Sequence, residues 1–193
     1  ARDSLTGHAQ PLRHPRVSDQ FDYEGELAVV IGTPGYQIAA EDAFDHVAGY
    51  TIMNEGSVRD WQFHTRQITP GKNFYRSGSI GPWIVPRDEV GDVAGLRIVT
   101  TVNGQVRQDD VAGSMVHTIP RFIEYVSSIA PLHTGDVLAT GTRRAERVDA
   151  DLRRVDRYRL DLLELGQDRH RARRRRGRPA ARRRASTPTT PRG

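Results

Sequence analysis

Residues 21–31 read FDYEGELAVVI, a stretch with the character of a strand that carries two carboxylates, Glu24 and Glu26, two positions apart. Side chains alternate along a strand, so Glu24 and Glu26 share one face while Tyr23, Gly25 and Leu27 take the other. Two like charges side by side repel. In a strand with so apolar a continuation, each carboxylate loses hydration and makes ionisation of its neighbour harder. A hard divalent cation reverses that balance, because such ions take oxygen ligands and leave positions open for substrate. Taken alone, the pair reads first as a solvated strand face.

The neighbouring stretches decide whether the pair stands alone. Thr33-Pro34-Gly35 is a turn signal. Residues 39–46 suit a short helix with Ala43, Phe44 and Val47 on an apolar side, and Val47 to Asn54 is a β-rich run that reads as a buried strand. That run delivers Glu55, a third carboxylate at a strand end. Three carboxylates in this arrangement suit an octahedral hard-metal site. Ser57 is placed to cap a short helix through Gln62, on which Arg59 and Gln62 share a face. Arginine suits a two-point grip on a substrate carboxylate, and an ion pair with Asp60 or Glu55 is the competing reading. Lys72, in the loop Thr69 to Phe74, is the chain's single lysine. It is either a compact, tunable charge or an accident of an arginine-favouring composition.

Further along, Ile80 to Val85 reads as a strand. Leu96 to Val102 alternates, and Asn103-Gly104 is a two-residue hairpin signal leading to a partner strand at Gln105 to Asp109. Thr118 to Ser128 sets Ile119, Phe122, Ile123 and Val126 at helical spacing, and Val137 to Ala139 is a short strand ending at Thr140-Gly141-Thr142. His46, His64 and His117 are not at mutual metal-ligand spacing, which disfavours zinc.

The net charge of +5 averages two unlike regions. Residues 1–142 carry 11 basic against 17 acidic side chains, a net of −6, whereas residues 143–193 carry 18 arginines against 7 acids, a net of +11. Residues 1–20 read as an extended arm, 21–142 as a strand-rich body and 143–193 as an arginine-rich, aberrant or disordered tail. Leu152, Val155, Leu160, Leu162 and Leu163 give that tail weak periodicity, and disorder is expected from about residue 166. No cysteine is present, which excludes disulfides and thiolate chemistry, and no apolar run is long enough to span a membrane. A cytoplasmic location is the expectation.

Five separated blocks, in order, resemble the fumarylacetoacetate hydrolase family: DYEGELAVVIG, AGYTIMNEGSVRDWQ, PGKNF with GPWIV, VNGQVRQDD, and GDVLATGT. The resemblance runs from about Val17 to Thr142. It implies an α+β, β-rich fold, a mixed β-roll with few short helices, in a homodimer. It also implies a metal held by Glu24, Glu26 and Glu55, the last at a position where most relatives have Asp. The metal is Mg²⁺, with Mn²⁺ or Ca²⁺ as alternatives. Arg59 and Gln62 match substrate-contacting positions, Lys72 matches the lysine that contacts the substrate's oxo group and developing enolate, and Thr142 matches a position that holds the substrate carboxylate. Tyr23 is read as packing. The implied activity is C–C hydrolysis of a 2-oxo or β-diketo acid through a metal-stabilised enolate, with isomerisation or decarboxylation of a 2-oxo diacid as the alternative.

Two departures from the family pattern stand out. The upstream His and Glu that activate water in many relatives have no counterpart at His8 or His14, and a preceding segment is expected to be missing. After Thr142 the family's last strand pair gives way to arginine-rich sequence, as a reading-frame shift would produce; resequencing the coding DNA tests that. The arginines also define a function of another class, salt-dependent and nonspecific attachment to nucleic acid or other polyanions. Without interleaved aromatics the tail offers no base-stacking platform, so no specific nucleic-acid partner is expected.

Overall fold

The structure, a computed structural model, describes residues 2–142 and 158–163. Among these the strands are β1 (Leu5–Gly7), β2 (Phe21–Asp22), β3 (Gly25–Ile31), β4 (Val47–Asn54), β5 (Ser57–Val58), β6 (Gly78–Ile80), β7 (Val85–Pro86), β8 (Arg97–Val102), β9 (Gln105–Val111), β10 (Val137–Ala139) and β11 (Tyr158–Leu163). The α-helices are α1 (Thr69–Lys72), α2 (Arg87–Val90) and α3 (Ile119–Ile129), with short 3-10 turns between strands. The main sheet runs β1-β6-β4-β3-β10, with β7 also on β4; β11-β8-β9 form a second sheet and β2-β5 a small ladder. β1 pairs with β6 in parallel while β3 is antiparallel to both β4 and β10, so the main sheet is mixed.

β3 is central because it has no polar face to give to water: all seven of its residues are buried. Leu27, Val29 and Ile31 enter the core with Tyr50 of β4, Ile98 of β8, Leu138 of β10 and Ile119 and Ile123 of α3. Each fully buried aliphatic side chain contributes roughly 1.5–3 kcal/mol of transfer free energy. α3 follows the expected period. Its N-cap Thr118 accepts from the Arg121 amide, Ile119, Ile123 and Ser127 line the buried face, and the partly buried Phe122 and Val126 pack against the core. The Asn103-Gly104 hairpin also forms as expected, both residues taking positive φ (51° and 79°), the conformation that matches the twist of the flanking strands.

Four expectations are corrected. The stretch 21–31 is not one strand: β2 leaves to pair with β5, the chain crosses over at Tyr23-Glu24, and β3 begins at Gly25. At the crossover the Glu24 amide donates to the Asn54 side chain, 3.0 Å, in place of a strand carbonyl. Ser57 caps no helix; it lies in β5, and the 3-10 turn Asp60–Phe63 has no side-chain cap. The run 80–85 splits into β6 and β7 around Gly81-Pro82, where Gly81 takes φ +108° and Pro82 has no amide to give a ladder. The segment read as an unpacked arm supplies β1, and the Arg76 amide donates to the Asp3 carbonyl beside it, 2.9 Å.

In the basic region, residues 158–163 form β11, antiparallel to β8 from Tyr158↔Val102 to Leu163↔Arg97. A closing strand is therefore present where the sequence offered only weak periodicity. The disorder expected from about residue 166 lies outside the described residues. Among the described residues no helix is long and apolar enough to cross a membrane.

Candidate metal centre

The residues singled out in the sequence converge on the N-terminal end of β3. Glu24 sits at the β2–β3 crossover, Glu26 on β3 and Glu55 on the turn after β4, and one carboxylate oxygen from each lies within 4.8 Å of the others. β3 and β4 are antiparallel, with Gly25 opposite Asn54, so the start of one strand meets the end of the other. Gly56 allows the turn to close: a Cβ there would lie 2.0 Å from the Ser77 carbonyl oxygen. Among the described residues this is the one cluster of three or more metal-ligating side chains, and it contains no histidine.

Lys72, the last residue of α1, reaches in from the opposite wall. Its Nζ donates to Glu24 Oε2 at 2.5 Å and to Glu55 Oε2 at 3.1 Å, with only 11% of its side chain exposed. Arg59 forms the ion pair that was the alternative to substrate binding, but its partners differ from those expected. Nε and Nη2 donate to Asp22 Oδ2 at 2.9 and 2.7 Å, and Nη1 donates to Glu24. Nη1 also donates to Gln62 Oε1 at 3.3 Å, which ties in the residue predicted to share its face. Thr142 is linked less directly, accepting from Gln108 Nε2 at 2.9 Å.

The two carboxylates of the strand have opposite electrostatics. Burial opposes ionisation of Glu24, but the hydrogen bond and charge of Lys72, the Ser57 hydroxyl and the Arg59 charge outweigh it and hold the carboxyl below its ordinary value. Burial pushes Glu26 up to about 8, reinforced by the charges of Glu55 and Glu24 and only partly offset by the Gly141 amide and Lys72. With Arg59 shared with Asp22, the three carboxylates face one ammonium. An all-oxygen set with an excess of negative charge, one member of which is driven to hold a proton, fits a hard divalent cation. A cavity of about 160 Å³ adjoins the cluster, lined by Ser4, Leu5, Met53, Glu55, Lys72 and Asn73 among others.

Several contributors carry no role at the site in the sequence reading. Ser57 Oγ donates to Glu24 Oε1 at 2.8 Å, and the Gly141 amide donates to Glu26 Oε2 at 2.8 Å. Ser57 lies in a block already quoted, and two-residue spacing from Glu55 is the signal that could have suggested it. The Gly141 amide has no signal in a side-chain pattern at all.

The fold and the cluster together define a three-carboxylate group at the end of a mixed sheet that could hold a cation. The family model for the fumarylacetoacetate (FAA) hydrolase C-terminal domain matches residues 1–173. The chain belongs to the fumarylacetoacetate hydrolase family, a family of enzymes, and has its β-rich fold with few helices. It is 43% identical over 140 residues to the oxaloacetate tautomerase YisK of Bacillus subtilis, covering 72% of this chain and 46% of that protein. Among solved structures it is similar to 5-carboxymethyl-2-hydroxymuconate delta-isomerase from Mycobacterium smegmatis, with TM-score 0.70 and 36% identity over 74% of this chain and 56% of that one. Fumarylacetoacetate hydrolase from Exiguobacterium antarcticum gives TM-score 0.70 and 39% identity over 74% of this chain and 51% of that one. The chain spans about half the length of the curated relatives it matches.

Proposed function

We propose that this chain carries a divalent-cation-dependent active site that converts a 2-oxo acid through its enol or enolate. The observation that carries this reading is the convergence of Glu24, Glu26 and Glu55 with Lys72 on their free side. Glu24, Glu26 and Glu55 hold the cation, Mg²⁺ in the first instance. When bound, the cation acts as a Lewis acid toward the oxo group and carboxylate of the substrate.

The chain's own groups do the rest. Lys72 holds a proton at the position where negative charge grows on the oxo oxygen, and a donor so placed is typically worth a hundredfold to a thousandfold in rate, ~10²–10³. Arg59, Gln62 and Thr142 orient the substrate carboxylate. For Arg59 this means sharing a guanidinium already committed to Asp22 and Glu24. Proton transfer beside the oxo group, as in a tautomerase or isomerase, moves a proton between the oxo oxygen and the adjacent carbon and consumes no water, and the names of the tautomerase and isomerase relatives support it. C–C hydrolysis is the second reading, favoured by the similarity to a fumarylacetoacetate hydrolase. It uses the same enolate but also requires a group that activates water, and no histidine hydrogen-bonds the carboxylates among the described residues.

Calorimetry and turnover test the proposal. Mg²⁺ binds the wild type, and oxalate, which resembles a 2-oxo acid enolate, binds only with Mg²⁺ present. Ketonisation of enol-oxaloacetate and cleavage of a small acylpyruvate, each assayed with and without Mg²⁺, separate the two readings. Absence of Mg²⁺ binding, or equal binding in Glu24→Ala, would overturn both.

A further inference from the structure

We propose that Gln108 is a positioning residue of this site, its side-chain amide standing in for the strand that β3 lacks beside Gly25. The inference rests on the metal-site reading above. Just before β3, the Glu24 amide and carbonyl face the end of β4, donating to Asn54 Oδ1 and accepting from the Glu55 amide. Backbone directions alternate along a strand, so the Gly25 amide and carbonyl face the other edge, where β10 lies. β10 reaches only so far. It pairs Ala139 with Ala28, the Thr140 amide donates to the Leu27 carbonyl, and the chain then turns at Gly141 with φ +90°. Gly25, the single residue between the two strand carboxylates, is left beyond its end.

Gln108 fills that gap. Its Oε1 accepts from the Gly25 amide at 3.2 Å and its Nε2 donates to the Gly25 carbonyl at 2.8 Å, the same two bonds a neighbouring strand would make. The remaining capacity of the amide is used as well: Oε1 accepts from Thr100 Oγ at 2.9 Å and Nε2 donates to Thr142 Oγ at 2.9 Å. A primary amide has two donors and room for two at its oxygen, so the buried group is saturated, and flipping it would mismatch both bonds to the Gly25 peptide, whose amide can only donate and whose carbonyl can only accept. Because Thr142 accepts here, its own hydroxyl proton must point elsewhere. One side chain thus fixes the peptide that spaces Glu24 from Glu26 and orients the Thr142 hydroxyl.

The hairpin is built to deliver it. Thr100 pairs with Gln108 but Thr101 pairs with Val106, so Arg107 is an extra residue in β9. Such a bulge re-aims side chains. Gln108 is buried in a strand whose neighbours Arg107 and Asp109 are half-buried and exposed.

The test uses the full chain with three variants, Gln108→Leu, Thr100→Val and, as a control, Val99→Ala on the same hairpin. In Gln108→Leu, Mg²⁺ affinity by calorimetry drops roughly 10- to 100-fold, the range for losing a group that orients a metal ligand. Exchange of the Gly25 amide in the metal-free protein speeds up by about tenfold or more, while that of Val29 does not. Thr100→Val, which loosens Gln108 without removing it, shifts both readouts the same way by less. Val99→Ala lowers thermal stability and leaves Mg²⁺ affinity unchanged, which separates positioning from general destabilisation. Mg²⁺ affinity of Gln108→Leu within about twofold of wild type overturns the inference; if that variant does not fold, unchanged affinity in Thr100→Val does so. Should the wild type bind no Mg²⁺, the functional reading fails, and unchanged Gly25 exchange in Gln108→Leu overturns the clamp separately.

Discussion

The two ends of β3 are equally buried and physically opposite. From Leu27 to Ile31 the strand meets aliphatic side chains on β4, β8, β10 and α3, and burial is the source of stability. At Glu24 and Glu26 the same degree of burial works against the fold, since desolvated carboxylates repel one another and must be matched one by one. The matching is uneven: Glu24 collects Lys72, Arg59 and Ser57, while Glu26 has the Gly141 amide and a carboxyl pushed up to about 8. One strand thus joins a structural half to a charged half, the latter being the end at which a cation is proposed to bind.

The contrast can be broken most directly from its apolar end. Leu27→Ala removes a fully buried side chain and should cost about 2–5 kcal/mol of stability by denaturant unfolding. Mg²⁺ affinity of the molecules that remain folded should change little. At the charged end, Glu26→Gln should weaken Mg²⁺ binding by more than the roughly 10- to 100-fold typical of an outer partner. Yet at pH 9 the metal-free variant should melt at or above the wild-type temperature, because a repelled charge has been removed. A melting temperature well below wild type at pH 9 would falsify the division of labour proposed for the strand.

The pH dependence sharpens the same point. Glu26 is raised from 4.5 in an unfolded chain to about 8 in the fold, so between those values the folded state binds the extra proton. Its contribution to metal-free stability is therefore greatest below about 4.5, declines as pH rises toward about 8, and levels off above that. Glu24, held low, acts in the opposite sense: its contribution is lost as pH falls below the ordinary carboxylate range. Saturating Mg²⁺ should flatten or invert the decline toward pH 8, since the cation binds the deprotonated site. Thermal melts at pH 5, 7 and 9 with and without Mg²⁺ read this out. The smallest effect is expected from Ser57→Ala, which removes the hydroxyl on Glu24 Oε1: a Mg²⁺ affinity loss of roughly tenfold and a stability change of about 1 kcal/mol.

Much of this was legible before any coordinates. β4, the Asn103-Gly104 hairpin, α3 and β10 follow from apolar period, turn chemistry and capping, signals that lie within a few residues of one another. Glu24, Glu26, Glu55 and Lys72 were readable as candidates from their residue types and the blocks that hold them, and Arg59 with Gln62 from helical spacing. β1 was not readable, because three residues of no clear period acquire strand identity only by pairing with Leu5↔Gly78 across the chain. Nor was the break at Tyr23-Glu24, which depends on β5 and the Asn54 side chain.

The sequence by itself determined that two carboxylates would lie two positions apart at the head of an apolar strand, with a third carboxylate at the end of another strand and a single lysine further along. That is local chemistry, set by residue type and spacing. Only the tertiary structure decided that the four meet, that Arg59 is held by Asp22, and that Gln108, 83 positions from Gly25, completes the edge of the strand between the two glutamates. Those outcomes depend on strand order, a bulge at Arg107 and the point at which β10 turns away, none of which has a signature within the segments it joins.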